Sequence, residues 1–188
     1  FYLSPVRPLL RLNFSNISPI LPLSNNIYPP MSILKIALHP DPILRQVAKE
    51  VARADFGSEA IKKLAENMIE TMINRDGIGL AAPQISKSIR LIIVNTKNGP
   101  LVMVNPVITK KSLLKEWDEE GCLSIPNTFG QVRRHKNVRV QFIDEDGKAR
   151  QIEAKGLLAR VIQHEVDHLD GILFIDKAKN ITDANYAM

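Results

Sequence analysis

The residues best suited to chemistry lie in Gln163-His-Glu-Val-Asp-His168. On a helix, His164 and His168, four positions apart, stack one turn from each other on one face and can grip a single ion together. Glu165 then sits about 100° round the axis from His164 and about 60° from His168, close enough to take a proton from water held at such an ion. HExxH patterns recur by chance on solvated helix faces. Here Leu158, Val161, Ile162, Val166 and Leu169 make the helix partly buried, and buried imidazoles need partners.

A catalytic divalent site commonly takes three protein ligands and keeps one position open for water. The metzincin pattern places a third histidine six residues after the second, where this chain has Phe174, and the later glutamate of thermolysin-like sites is missing because no Glu follows Glu165. Cys122, His135, Glu119 and Glu120 remain as candidates. Cys122 in Glu120-Gly-Cys-Leu-Ser124 is favoured, because a glycine frees the backbone before it and a thiolate is the softest ligand available. His135 lies in Arg133-Arg-His-Lys136, a basic loop or strand start where an imidazole is more readily solvated than metallated.

A second stretch, Gly77-Ile-Gly-Leu-Ala-Ala-Pro-Gln84, nearly spells the dinucleotide fingerprint. That fingerprint must follow a strand and open a helix, whose free amides hold the phosphate. These glycines follow a helix instead, and no long helix comes after them. Their use is then to let backbone approach a ligand closely.

The elements that must position these groups can be read from periodicity. Ile33–Leu38 reads as a short strand, and His39-Pro-Asp-Pro42 as a turn and helix start for Ile43–Val51. Ser58 caps a helix whose apolar residues Ile61, Leu64, Ala65, Met68, Ile69, Met72 and Ile73 recur at three- and four-residue steps, ending at Asp76-Gly77. Its methionines are core filler. Arg90–Thr96 and Leu101–Val104 form a hairpin around Asn98-Gly-Pro100, and Val138–Ile143 pairs with Ala149–Ala154 across Asp144–Gly147. Leu157–Leu169 is helical, with Gly171 as its stop and a short tail beyond. Strands come first and the chemically interesting helix late, an α+β arrangement rather than βαβ alternation.

GIGLAAPQ, EGCLS and QHEVDHLDG, in this order and spacing, resemble the three signature motifs of peptide deformylases, and the likeness runs from about Met31 to about Ile175. It implies antiparallel sheets around a central metal-binding helix. It implies further that Cys122, His164 and His168 bind the metal, that Glu165 is the general acid/base, and that Gln84 and the backbone amide of Leu123 stabilise the oxyanion. Gly77, Ile78 and Gly79 would line the cleft and pair with the substrate backbone. The implied reaction removes the N-formyl group of nascent N-formylmethionyl peptides and releases formate. The implied metal is Fe2+, with Zn2+, Ni2+ or Co2+ as substitutes, since two nitrogens and one sulfur accept all four. Transient ribosome contact goes with such a substrate, although the short tail from Asp176 does not resemble the docking helix of some bacterial members. Two rival readings are an HExxH endopeptidase and a non-catalytic Cys/His metal-binding domain closed by a fourth ligand such as Glu119.

The whole chain sets the bounds. With 188 residues, 45% apolar and 24% charged, it fits one globular domain, expected over 31–188. The net charge of +5 is scattered, so no specific nucleic-acid partner is expected. No run reaches the roughly 18 apolar residues of a membrane span, and no membrane partner is expected. Cys122 is the only cysteine, which fits a reducing compartment. Residues 1–30 hold six of the twelve prolines, no acid and only Arg7 and Arg11 as basic residues, and are expected to be disordered. A mis-set start explains them most simply, giving a bacterial-type cytoplasmic protein. A transit peptide has the same composition and would make the protein organellar.

Overall fold

The computed structural model describes residues 1–2 and 32–183. Among these residues two α-helices and eight strands form the frame. Helix α1 (Glu59–Asn74) starts where the Ser58 hydroxyl accepts a hydrogen bond from the Ile61 amide, one of the free donors of a helix start. It buries Ile61, Ala65, Met68 and Met72, the stripe its periodicity predicts.

Strands β1 (Gly79–Ala81), β2 (Leu91–Thr96), β3 (Gly99–Lys111), β6 (Asn137–Ile143) and β7 (Ala149–Lys155) make a five-stranded sheet in that spatial order, each pair antiparallel. Both expected hairpins are in it. Strand β2 is apolar on both faces because both are covered. Leu91 and Ile93 join Met68 and Met72 of α1 in one core, whereas Ile92 and Val94 join Val161 and Ile162 in another. These last two belong to helix α2 (Gly156–Leu169). Strands β4 (Lys115–Cys122), β5 (Ile125–His135) and β8 (Lys179–Asp183) form a second antiparallel sheet, ordered β4-β5-β8. Helix α2 packs on β1, β2 and β7 of the larger sheet and on β5 of the smaller one. It therefore lies centrally, between sheets.

Three local expectations are corrected. Ile33–Leu38 is extended but joins no ladder. Its amides find isolated partners instead, Leu34 on the Thr71 hydroxyl at 2.8 Å and Ala37 on the Gln84 carbonyl at 2.7 Å. The segment from Ile43 to Val51 is not a helix. Only the 3-10 turn Pro42–Arg45 forms, capped by Asp41, before Gln46 turns extended. Beyond it Ala48 donates to the Leu169 carbonyl and Val51 to the Asn105 side chain, so tertiary contacts replace helix bonds. Of Arg133–Lys136, read as a basic loop or strand start, the first three residues are instead the end of β5 and Lys136 is the bend before β6, and the tail past Gly171 carries a 3-10 turn and β8.

Expected disorder over 1–30 falls outside the described residues except at Phe1 and Tyr2, which are packed. Phe1 is fully buried. Among the described residues no helix is long and apolar enough to cross a membrane.

Candidate metal centre and peptide cleft

Helix α2 buries several of its polar residues in the interior. His164, Glu165 and His168 have at most 1% of their surface exposed, and the two imidazole centroids lie 5.0 Å apart, as an i, i+4 pair requires. The helix ends at Asp170, and Gly171 follows with φ +70°. A Cβ there would come within 2.6 Å of the Arg45 carbonyl oxygen, so the stop signal is also a steric demand.

Cys122 arrives from the end of β4. The β4–β5 register slips between Gly121 and Cys122, and such an irregularity re-aims a side chain. Its Sγ lies 3.2 Å from His168 Nε2. The ligand atoms of Cys122, His164 and His168 lie within 4.8 Å of one another, the only such group among the described residues. Donors around a tetrahedral cation with about 2.3 Å bonds to sulfur and about 2.0–2.1 Å bonds to nitrogen sit roughly 3.3–3.6 Å apart. His164 Nε2 is buried without a protein partner, an orphan that a cation in this position would satisfy. Burial alone would push the Cys122 thiol up, but His168 and His164 beside it hold it well below its usual range. The thiolate is the form that binds metal. The residues fit a divalent cation.

Behind this group lies a polar cluster. Glu120, fully buried, takes the Nδ1 side of His164 at 2.9 Å with Oε2. It also accepts from Arg134 Nε and Nη2, both at 2.9 Å, and from Arg160 Nη1 at 2.7 Å. Burial opposes its ionisation, yet the bonds from Arg134 and His164 hold the carboxyl far below the usual range. Arg160 further donates to the Val132 and Glu116 carbonyls, tying α2 to the smaller sheet. Arg134 reaches onward to Asp167. Sequence reasoning weighed Glu120 only as a ligand. A dense run of charge in a strand next to the cysteine is a signal, but the pairing of Glu120 with Arg134 and Arg160 follows from tertiary packing.

Gln84 closes another wall. In the 3-10 turn Ala82–Ile85, its Oε1 accepts from the Ala81 amide at 2.8 Å, which aims Nε2 at Ser124 Oγ, 3.2 Å away, and Cys122 Sγ, 3.5 Å away. Leu123 follows Cys122 directly, and its side chain lies against Gly77. A Cβ on Gly79 would run into Glu165 Oε1 and come within 2.8 Å of Val161 Cγ1. This glycine leaves room for the carboxylate, not only for a ligand.

Strand β1 pairs with β2 along one edge, and its other edge holds the chain's own first residues. The Ile78 amide donates to the Phe1 carbonyl at 2.9 Å, and the Phe1 nitrogen donates to the Gly79 carbonyl at 3.1 Å and to Glu165 Oε1 at 3.2 Å. The Tyr2 amide donates to the Gly121 carbonyl at 3.3 Å. Phe1–Tyr2 thus lies as an added strand between β1 and the end of β4, with its first ring 5.1 Å from His164. Glu165 Oε2 is buried and has no partner.

The other ligand candidates lie elsewhere. His135 Nδ1 contacts the Ser112 carbonyl at 2.5 Å, and neither it nor Glu119 belongs to the ligand group. A site closed by Glu119 has no support in this arrangement.

The polypeptide deformylase family profile matches residues 33–184. The peptide deformylase of Pelotomaculum thermopropionicum is 51% identical over 151 residues, covering 80% of this chain and 95% of the relative. That of Dictyoglomus thermophilum is 49% identical over 138 residues, covering 73% and 88%. Among solved structures, peptide deformylase from Thermotoga maritima superposes with a TM-score of 0.75 at 41% identity, covering 79% of this chain and 99% of the other. A Met-Ala-Ser-bound class I type b peptide deformylase from Acinetobacter baumannii gives 0.76 at 37% identity over the same shares.

Proposed function

The chain belongs to the peptide deformylase family, and from that premise we propose how its residues divide the work. The enzyme hydrolyses the formyl group from N-formylmethionyl peptides, releasing formate and a free amino terminus. We infer that Cys122, His164 and His168 hold the cation, which, when bound, supplies Lewis acidity that makes a water nucleophilic at neutral pH.

Glu165 accepts the proton of the attacking water. As a C–O bond forms at the formyl carbon, negative charge develops on the formyl oxygen, and Gln84 Nε2 and the Leu123 amide donate to it. The C–N bond then breaks, and Glu165 returns its proton to the departing nitrogen. One observation carries this assignment: the donor atoms of Cys122, His164 and His168 lie within 4.8 Å of one another, with the Glu165 carboxylate fully buried on the same helix as the two histidines. Gly77, Ile78 and Gly79 guide the substrate through main-chain groups that are the same for every sequence, with the Ile78 amide and the Gly79 carbonyl making the bonds.

Ferrous iron is the metal we assign, with zinc, nickel or cobalt able to occupy the same donors. A single catalytic domain over 31–188 contains every group named. A cytoplasmic setting agrees with the bacterial relatives, an organellar one with residues 1–30 as a transit peptide. Transient ribosome contact follows from the nascent state of the substrate. The test is formate release from formyl-Met-Ala by anaerobically purified protein, with elemental analysis of the same sample. Stoichiometric iron with turnover is expected. Absence of release from metal-replete protein would overturn the assignment.

A further inference from the structure

At one end of the molecule β3, β5 and β7 finish and β4, β6 and α2 begin. Ser112, Leu113 and Leu114 turn the chain there from β3 into β4, and the turn is tied down. The Ser112 amide donates to the Asn137 carbonyl at 2.9 Å, its hydroxyl accepts from the Asn137 amide at 3.2 Å, and the Leu114 carbonyl accepts from the Lys136 amide at 3.0 Å. The Lys136 carbonyl accepts from the Gly156 amide at 2.9 Å, which brings Leu157 to the same corner. These leucines still face water: Leu113 is 100% exposed, Leu114 70% and Leu157 44%.

Lysines surround them. Lys110, Lys111, Lys115, Lys136 and Lys155 gather at this end, because Lys111 pairs with Val138, Lys115 with His135 and Lys155 with Asn137. The acids within two residues of these lysines, Glu116 and Glu153, already have partners, Lys136 at 3.2 Å and Arg139 at 2.6 Å, and the first turn of α2 holds no acid. Among the described residues Lys110, Lys111, Lys115 and Lys155 make no ion pair. Beside the turn, Lys111, Lys115 and Arg133 line a cavity of about 500 Å3 together with Arg90, His135 and Lys177. Its acids are already held, Asp167 by Arg134 and Lys177, and Asp170 by Arg90. The cavity is left with uncompensated positive charge.

We propose that this end docks on an anionic lipid bilayer, with Leu113 and Leu114 entering the boundary between headgroups and acyl chains and an acidic headgroup seated between Lys111, Lys115 and Arg133. Apolar side chains ringed by cations are what such a surface binds, and lysine stems can follow the leucines inward while their ammonium groups stay at the phosphates. RNA would match the cations but not the leucines, since it is held by phosphate contacts and by bases stacked on aromatic or Arg planes. Trp117, the third residue of β4, already carries Lys179 over its ring at 5.2 Å. No helix among the described residues can cross a bilayer, and a surface contact needs none. Cys122 closes β4 at its other end, about 24 Å from Lys115 at the usual strand rise, so a docked molecule keeps its metal centre clear of the lipid.

Vesicle flotation of the metal-loaded full-length chain tests this, with phosphatidylcholine alone and with phosphatidylcholine mixed with phosphatidylglycerol. The chain should float with the mixed vesicles and stay in solution with the neutral ones, and added salt should weaken binding. Replacing Lys111→Gln and Lys115→Gln together should lower the partition constant about 25-fold, from about fivefold for each lysine. Leu113→Ser with Leu114→Ser should lower it about tenfold. Both double variants should keep the native urea midpoint, because these side chains lie on the surface. Equal binding to the two vesicle types, or binding to neither, would overturn the proposal. So would a loss on replacing the lysines with none on replacing the leucines, which beside tight binding of polyuridylate would mark a phosphate-backbone site for RNA instead.

Discussion

Glu120 Oε2 meets His164 Nδ1 at 2.9 Å, bringing together residues 44 positions apart in the sequence. That contact fixes which ring nitrogen faces the ligand group, because the Nδ1 side is taken and Nε2 alone is left toward Cys122. Partners of this kind orient metal-binding histidines and set their basicity.

Removing Glu120 should therefore weaken metal binding and the fold together. Glu120→Ala leaves Arg160 buried with only carbonyl partners and Arg134 with only Asp167, a loss of about 3–5 kcal/mol by analogy with broken buried ion pairs. Metal affinity should fall about 10–100-fold. Urea unfolding and chelator competition measure the two effects, and unchanged metal affinity in a folded variant would show that the contact is not orienting His164.

Gly79→Ala should reduce turnover by more than about tenfold, because the new methyl occupies the place of Glu165 Oε1 and small misplacements of reacting groups are costly. The native φ is not the obstacle, since Gly79 is not among the residues with positive φ. Steady-state kinetics on formyl-Met-Ala check this, and a rate near the native one would mean the carboxylate can move without loss.

Much of this frame is legible in the sequence. Both helices follow from apolar residues at three- and four-residue steps, and Ser58 from its place before the first such residue. The β2–β3 and β6–β7 hairpins follow from apolar runs divided by turn residues. The β4–β5 hairpin is hidden because Lys-Glu-Trp-Asp-Glu-Glu at 115–120 shows no apolar alternation. Its buried carboxylate, Glu120, is satisfied by two arginines from other elements, not by water. Ile33–Leu38 looks like a strand because it is extended and apolar, yet its amides bond to single groups of α1 and of the Gln84 turn. At the site, residue types alone identify the histidine pair, whereas Cys122, 46 residues before His168, is joined to it only by folding.

Asp144 should give the stability a pH dependence. Its buried carboxylate accepts from the Asp146 and Lys148 amides at 3.1 and 2.8 Å and from Arg150 Nε at 2.7 Å. Burial works against ionisation, but the Arg150 and amide bonds outweigh it and lower the pKa. A folded-state pKa below the unfolded one means the contribution is present above the ordinary value near 3.9 and is lost as pH falls through the folded value. Asp144→Ala should cost about 1–2 kcal/mol at pH 7 and flatten the decline below pH 4. Urea midpoints across that range test it, and parallel curves for native and variant protein would contradict it.

Substituting Glu165 or Gln84 should separate binding from chemistry. Glu165→Ala should keep the metal and lose about 10²–10⁴ in turnover. Gln84→Ala should lose roughly 2.7–4 kcal/mol of transition-state stabilisation. Metal content by elemental analysis, beside kcat on formyl-Met-Ala, measures both, and near-native turnover in either variant would remove that residue from its role.

Joint binding of one cation by Cys122, His164 and His168 is tested most directly by X-ray absorption spectroscopy of the metal-loaded protein. One sulfur at about 2.3 Å and two imidazole nitrogens at about 2.0–2.1 Å are predicted, with the sulfur contribution gone in Cys122→Ser. A first shell lacking sulfur, or a sulfur signal that survives that substitution, would contradict the account.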